Sequence, residues 1–171
     1  MEFFETVEKR KSIRSFLRNE IEGAKVGRLL EAINLAPSAG NLQAYRIVLA
    51  KSRKLKEEIA QAALEQDFIA QAPLVLVFLA DRKKSSIKYG KRGAELYCIQ
   101  DATIAASYAQ LAAAALGLAS VWVGAFEERE IKRLVKAQEN EVPVAIIPIG
   151  YAAEEIEGHQ RRKVSSMASE L

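Results

Sequence analysis

The chain carries no charged side chain between Asp101 and Glu127, and the residues in this stretch predict two elements. Residues 102–116 are rich in alanine and leucine, which have high helix propensity. Gly117 follows as a suitable helix C-cap, because glycine adopts the left-handed conformation at little cost. Valine and tryptophan then favour a buried strand over residues 119–126. The stretch is long enough to suggest a membrane span, but its polar residues and Gly117 disfavour that interpretation.

Hydrophobic positions elsewhere predict helices interspersed with strands. Val26, Leu29 and Ile33 share one face of an amphipathic helix over residues 22–36, which Pro37 ends. The continuous apolar run over residues 74–79 predicts a strand buried on both faces. Residues 81–93 are basic, contain two glycines, and are expected to form a loop. The other predicted elements are helices near 3–7, from Ser52 to 64, from Glu95 into the central helix and over 127–137, and strands over 45–50 and 142–151. The pattern indicates an α+β or α/β protein whose helices cover a sheet.

Composition limits the classes of function. A length of 171 residues predicts one domain, residues 1–171, with a sizeable core. Twenty-five basic and 22 acidic residues give a net charge of +3, too small by itself to indicate nucleic-acid binding. Cys98 is the only cysteine and His159 the only histidine, so neither a disulfide framework nor a metal-binding cluster is expected. The N-terminal residues do not resemble a signal peptide, so we expect a soluble cytoplasmic protein.

Side chains that could bind phosphate are found near both ends of the chain. Arginine binds phosphate through a bidentate fork, and a serine hydroxyl adds a hydrogen bond. No phosphate-binding glycine motif and no catalytic triad accompanies them. The pattern therefore favours a protein that holds a phosphorylated cofactor and leaves the chemistry to it. The candidate phosphate ligands are Arg10, Lys11, Ser12, Arg14, Arg161 and Arg162.

Five segments, taken together and in order, resemble the nitroreductase family. Residues 10–14 (Arg-Lys-Ser-Ile-Arg) resemble its N-terminal signature, and residues 36–43 (Ala-Pro-Ser-Ala-Gly-Asn-Leu-Gln) resemble its second motif. Residues 66–73 resemble the segment before the next strand, and residues 101–126 resemble the central helix, turn and strand. The pair at 161 and 162 resembles the C-terminal basic pair, although the proline and acidic residues that usually follow it are missing here. Singly each match is weak, but their order spans nearly the whole chain.

The resemblance implies an α+β fold, with a central mixed sheet flanked by helices in an intertwined homodimer. It also implies non-covalent FMN, NADH or NADPH as electron donor, and ping-pong reduction of a nitroaromatic, quinone or related acceptor. Chemistry would occur on FMN, so no side chain is expected to be catalytic. The residues implied to bind FMN are Arg10, Lys11, Ser12, Arg14, Pro37, Ser38, Ala39, Asn41, Gln66, Gly124, Ala125, Arg161 and Arg162. Residues 37–41 would approach the flavin from the partner subunit.

Two alternatives to this function remain open. One is a specialised flavoenzyme of the same fold, either a dehalogenase or a flavin-consuming enzyme. The other is a flavin-binding module without turnover. For the dimer, Ala105, Ala109 and Ala112 belong to a small-sided helix face that could pack against a second chain. The competing interpretation is that the monomer's own sheet covers this face.

Overall fold

The computed structural model of the chain describes residues 2–158 and 160–170, so His159 lies outside the described residues. The helices are α1 (Phe3–Lys9), α2 (Gly23–Asn34), α3 (Arg53–Ala62), α4 (Phe68–Gln71), α5 (Arg82–Arg92), α6 (Cys98–Ala115) and α7 (Glu128–Leu134). The strands are β1 (Tyr45–Ala50), β2 (Leu74–Asp81), β3 (Ala119–Ser120) and β4 (Glu141–Gly150). A π-helical turn, Gly93–Tyr97, joins α5 to α6, and short 3-10 turns occupy Ala39–Asn41 and Val164–Ser166.

The four strands form one sheet in the order β1-β2-β4-β3, and each strand pair is antiparallel. The family resemblance implies a mixed sheet, whereas these four strands form an antiparallel one. A parallel contact is found only as an isolated bridge between Ser12 and Ser120 in the described part of the chain. This bridge fixes the segment after α1 beside β3.

Strand β2 is buried on both faces because its side chains alternate between two helical layers. Leu76 and Phe78 pack in a cluster with α2 and α6, whereas Val75 and Val77 pack in a cluster with α3 and α7. All four side chains are fully buried, and each contributes roughly 1.5–3 kcal/mol of hydrophobic stabilisation. The sheet is consequently the middle layer of the molecule, as the apolar run predicts.

The small-sided face of α6 packs within the monomer. Ala105, Ala106 and Ala109 are completely buried in the cluster that contains Leu29 and Leu76. The hypothesis that this face packs against a second chain is therefore wrong, because the chain's own sheet and α2 cover it. Substituting Ala109 by glutamate would place a carboxylate in the monomer core, so it would not report on assembly.

Two predicted elements differ from the structure. Residues 82–92 form α5 where the sequence predicts a basic loop; the side chain of Asp81 caps this helix by accepting a hydrogen bond from the Lys84 amide at 2.9 Å. The strand predicted over residues 119–126 is reduced to β3 and an isolated bridge between Val123 and Ile146. The uncharged stretch divides as predicted, because α6 ends before Gly117, whose φ is +73°. Among the described residues, no helix has the length and apolarity needed to cross a membrane.

Candidate functional site

The loop between α2 and β1 has a backbone that is unusual for its sequence. Gly40, Asn41 and Gln43 all have positive φ angles, of 56°, 56° and 47°. Non-glycine residues adopt this region rarely, and they do so at functional sites more often than elsewhere. The Ser38 hydroxyl helps to close the loop by accepting a hydrogen bond from the Gln43 amide at 2.9 Å. Asn41, a predicted FMN ligand, is exposed on this loop.

The carboxylate of Asp101 holds this loop from beneath. It lies in the first turn of α6, is 2% exposed, and accepts hydrogen bonds from the Ala39 amide at 2.8 Å and the Ala44 amide at 3.4 Å. Its two oxygens therefore join the start of the loop to its end. Charge-assisted bonds to backbone amides are among the stronger hydrogen bonds in proteins. The residue pattern does not predict this role, although Asp101 is the charged residue that begins the uncharged stretch.

An apolar groove of about 560 Å³ lies between this loop and the start of α6. Pro37, Ser38 and Ala39, which the sequence predicts as FMN ligands, form one wall, and Tyr97 and Ile104 belong to the other. We call this the loop groove. Nearby, burial raises the pKa of the Cys98 thiol and of the Tyr45 hydroxyl, so both groups stay neutral at pH 7. Neither provides a nucleophile beside the groove.

Two adjoining cavities at the other end of α6 contain most of the predicted phosphate ligands. The first, of about 520 Å³, is lined by Arg10, Lys11 and the turn that contains Gly117. The second, of about 490 Å³, is lined by Arg10, Lys11, Ser12 and Arg161. We call the two together the basic cleft. It unites two arginines from opposite ends of the chain with a lysine and a hydroxyl, a set of donors that suits a phosphate group.

Two other predicted phosphate ligands, Arg14 and Arg162, lie outside the basic cleft. Arg14 is exposed, and its backbone amide donates a hydrogen bond to the Glu154 carboxylate at 2.6 Å. Arg162 is also exposed, and it lines neither cavity of the basic cleft. Carboxylates of Glu8 and Glu157 share the second cavity with the cations. The fold therefore brings Arg161, rather than Arg162, together with the N-terminal signature.

Two of the predicted segments, Gln66 and the turn at Gly124 and Ala125, contact each other directly. The side-chain nitrogen Nε2 of Gln66 donates hydrogen bonds to the Ala63 carbonyl at 2.7 Å and to the Ala125 carbonyl at 3.1 Å. Gly124 and Ala125 are both exposed. A β-carbon on Gly124 would lie 3.3 Å from the Trp122 indole nitrogen, so the space at this turn is limited. Gln66 thus supports the turn through a contact that the residue pattern does not predict.

Comparison with known proteins identifies the family of the chain. The model of the nitroreductase family matches residues 7–66 and 63–151, which is most of the chain. The chain belongs to the nitroreductase family. This confirms both the predicted family and the class of enzyme, an NAD(P)H-dependent oxidoreductase that carries FMN, which is the chemistry of the family.

Individual nitroreductases align over nearly the whole chain. An FMN reductase [NAD(P)H] from Bacillus subtilis is 29% identical over 157 residues, which are 84% of this chain and 63% of the relative. The structure of an FMN-dependent nitroreductase from Clostridium difficile is 29% identical, with a TM-score of 0.80, and the match covers 92% of this chain and 91% of that one. A nitroreductase family protein from Streptococcus pneumoniae, at 19% identity, shares the fold with a TM-score of 0.90 over 99% and 100% of the two chains. The predicted α+β fold is therefore confirmed.

Proposed function

We propose that this protein holds FMN non-covalently in a homodimer and reduces a nitroaromatic, quinone or related small acceptor with NADH or NADPH by a ping-pong route. The observation that carries the proposal is the basic cleft, which unites Arg10 and Lys11 with Arg161. When bound, FMN supplies a ring that accepts a hydride from the nicotinamide and passes electrons to the acceptor. The chain's own residues bind and orient that ring.

The chemistry of the basic cleft suits the phosphate of FMN. Arg10 and Arg161 would form charge-assisted hydrogen bonds with its oxygens, and Lys11 would add an ammonium. The Ser12 hydroxyl would bind the phosphate or the ribityl chain. Arg14 is more distant in this arrangement, and it would act by holding the segment through its backbone bond to Glu154.

Other predicted residues would surround the ring. Pro37, Ser38, Ala39 and Asn41 would form one wall, held in place by Asp101. The backbone amides of Gly124 and Ala125, two exposed residues, would donate hydrogen bonds to the ring edge, where preorganised donors stabilise developing negative charge. Gln66 would fix this turn through the Ala125 carbonyl.

The positions of these groups support a shared site. The loop groove contacts Asp101 near the start of α6, whereas the basic cleft contacts Ala114 near its end. Thirteen residues of α-helix separate the two positions by roughly 20 Å. One chain therefore presents two groups of predicted FMN ligands, residues 37–39 and the phosphate ligands of the basic cleft, at opposite ends of α6. Two chains paired with their α6 helices antiparallel would bring one group from each chain together, twice.

A second face of α6 is available for this pairing. Ile104, Tyr108, Leu111 and Ala115 recur at helical spacing, and none of these side chains is buried in the monomer. Tyr108 is 37% exposed. An exposed apolar stripe on a central helix is typical of an interface between protein chains. This stripe replaces the buried alanine face as the proposed dimer contact.

The FMN proposal is tested by binding as well as by turnover. Purified protein is expected to be yellow and to release flavin on denaturation. Arg10→Ala should weaken FMN binding about tenfold, the effect of losing one charge-assisted contact. Arg28→Ala, an exposed arginine on α2, is the matched control and should leave FMN affinity unchanged. A colourless protein that cannot be reconstituted with FMN, or equal losses in the two variants, would refute the assignment. Parallel double-reciprocal plots with NAD(P)H and a quinone or nitroaromatic would support the ping-pong route.

Leu111→Glu tests the dimer. A carboxylate at the centre of an apolar interface is costly to bury, so this variant should be monomeric and should retain little FMN. Light scattering and the flavin-to-protein ratio are measured on the same sample. Lys54→Glu on α3 places a new carboxylate on another exposed helix and should remain dimeric. Wild-type protein that is monomeric and carries a full complement of FMN would exclude the shared site.

A further inference from the structure

Residues 82–97, comprising α5 and the π-helical turn, form a compact unit to which the proposed function assigns no role, apart from Tyr97 in the wall of the loop groove. We call this unit the basic hairpin, because Gly90 interrupts the helix with φ 54° and ψ −141° and the chain then packs back on itself. Gly93 makes this packing possible, since a β-carbon there would lie 2.5 Å from the Ser85 carbonyl oxygen. Tyr89 and Tyr97 meet edge to face as a result, with ring centroids 5.2 Å apart.

Positive charge is concentrated in the basic hairpin. It contains one acidic residue, Glu95, whose ion pair with Lys91 spans 3.8 Å between exposed side chains and is therefore weak. Two cations lie against the tyrosine pair: Lys88 Nζ is 5.4 Å from the Tyr89 ring centroid, and the Arg92 guanidinium is 5.4 Å from that of Tyr97. The cations of the hairpin are Arg82, Lys83, Lys84, Lys88, Lys91 and Arg92. This local excess is larger than the net +3 of the whole chain.

The basic hairpin borders the loop that is proposed to line the flavin. The Lys84 ammonium donates a hydrogen bond to the Gln43 carbonyl at 3.3 Å. A β-carbon on Gly40 would lie 2.6 Å from Lys88 Nζ, so that ammonium covers the tip of the loop. Tyr97 belongs both to the hairpin and to the wall of the loop groove. Cations and aromatic rings thus stand at the rim of the proposed ring site.

A hydride donor must bring its nicotinamide to the flavin ring and leave the rest of the molecule at the rim. NADH carries a pyrophosphate, and NADPH carries an additional phosphate on its adenosine. Clustered lysine and arginine side chains bind such groups, and tyrosine rings such as the half-buried Tyr89 and Tyr97 can stack against an adenine base. We propose that the basic hairpin binds the phosphates of the dinucleotide and makes NADPH the preferred donor. This inference rests on the proposed function, because it takes the loop groove as the flavin site.

The experiment compares two double variants that remove the same charge. Lys88→Gln with Arg92→Gln neutralises the cations on the tyrosine pair, and Lys54→Gln with Arg28→Gln neutralises exposed cations on α3 and α2. Calorimetry measures binding of adenosine 2′,5′-bisphosphate, which represents the phosphorylated adenosine of NADPH. Wild-type protein should bind it, the hairpin variant about tenfold more weakly, and the control variant as wild type. Added salt should weaken wild-type binding, because exposed charges are screened.

Steady-state kinetics provides the second measurement. For the hairpin variant, kcat/KM with NADPH should fall about tenfold and with NADH by less, at an unchanged FMN content. Arg92→Lys loses the 3.0 Å hydrogen bond from Nε to the Tyr97 hydroxyl but keeps the positive charge. Because the charge is kept, its affinity for the bisphosphate should stay within a few-fold of wild type.

Three results would overturn the inference: unchanged bisphosphate affinity in the hairpin variant, a wild-type preference for NADH, or tighter binding of a random DNA oligonucleotide than of the bisphosphate. Bisphosphate binding needs no turnover, so it tests the hairpin even if the protein fails to bind FMN. A failure to bind FMN would instead refute the proposed function.

Discussion

The loop groove and the basic cleft each hold a group of predicted FMN ligands, and they are built differently. In the loop, buried Asp101 binds two backbone amides and Ser38 binds a third. At the cleft, Glu154 accepts a hydrogen bond from the amide of neighbouring Arg14 at the surface, and Arg161 belongs to an exposed C-terminal segment. The wall proposed for the ring is therefore preorganised, whereas the proposed phosphate site consists of long side chains that can adjust. A fixed wall suits a flat ring, and long cationic side chains suit a phosphate whose charge gives strong contacts from several directions.

Removing one carboxylate from each region should show the largest difference in stability between the loop and the cleft. Asp101→Ala leaves the amides of Ala39 and Ala44 without an acceptor, and each unsatisfied buried group costs about 1–3 kcal/mol. We expect a loss of about 3 kcal/mol in the free energy of unfolding, measured with urea. Glu154→Ala exposes its amide partner to water and should cost less than about 1 kcal/mol. Equal losses would show that the two regions are equally ordered.

The ion pair between Arg46 and Glu141 offers a pH-dependent test. Arg46 on β1 donates to Glu141 on β4 at 2.6 and 2.8 Å, and these hydrogen bonds lower the pKa of the Glu141 carboxyl. A carboxyl whose pKa is lowered by folding stabilises the protein at pH values above its pKa in the unfolded chain, which is about 4.3. It loses that contribution as the pH falls toward its lower pKa in the folded protein. Glu141→Gln should cost about 1.5–3 kcal/mol at pH 7.

The cost should shrink as the pH falls below about 4, where the wild-type carboxyl also becomes protonated. Denaturation at several pH values measures it. Glu57→Gln removes the exposed partner of Arg53 and should cost much less than Glu141→Gln at pH 7, because exposed ion pairs contribute little to stability. A pH-independent cost for Glu141→Gln would indicate that shape, rather than charge, joins β1 to β4.

Glycine substitutions give the smallest effect and sharpen the comparison further. A β-carbon on either Gly40 or Gly158 would meet a lysine ammonium, of Lys88 at 2.6 Å and of Lys11 at 2.5 Å. Gly40 also has φ +56°, so Gly40→Ala should cost about 1–2 kcal/mol in thermal or urea unfolding. Gly158→Ala needs only the end of a flexible side chain to move and should stay within about 0.5 kcal/mol of wild type. A larger cost at Gly158 would mean that the cleft is as rigid as the loop.

The apolar runs and the strongest local signals determined much of the fold from sequence alone. Strand β1 begins and ends where its pattern predicts, at Tyr45 and Ala50, and β2 begins at Leu74. Ser52 caps α3 by accepting from the Leu55 amide, and Gly117 adopts a positive φ. These features depend on burial and local backbone preference, which are written in adjacent residues. The motif order likewise sufficed to indicate the family.

Helix α5 shows where local sequence was insufficient. Its basic residues hide any apolar periodicity, and its glycines suggest a loop. The helix nevertheless forms because Asp81 caps it and Gly93 allows the following turn to pack against Ser85. In the same way, residue pattern could not show which chain would cover the alanine face of α6. That outcome depends on the position of β2 and α2, which are distant in sequence.

Residue types in the sequence determined the chemistry of the candidate site, namely arginine and serine for a phosphate and small residues for a flat ring. Tertiary structure decided which of these residues meet. It joined Arg161 to Arg10, bound Gln66 to Ala125, and placed Asp101 under the loop. It also set the loop groove and the basic cleft at opposite ends of α6. Such placements depend on contacts between distant segments, whose geometry is fixed only when the whole sheet and its helices pack together.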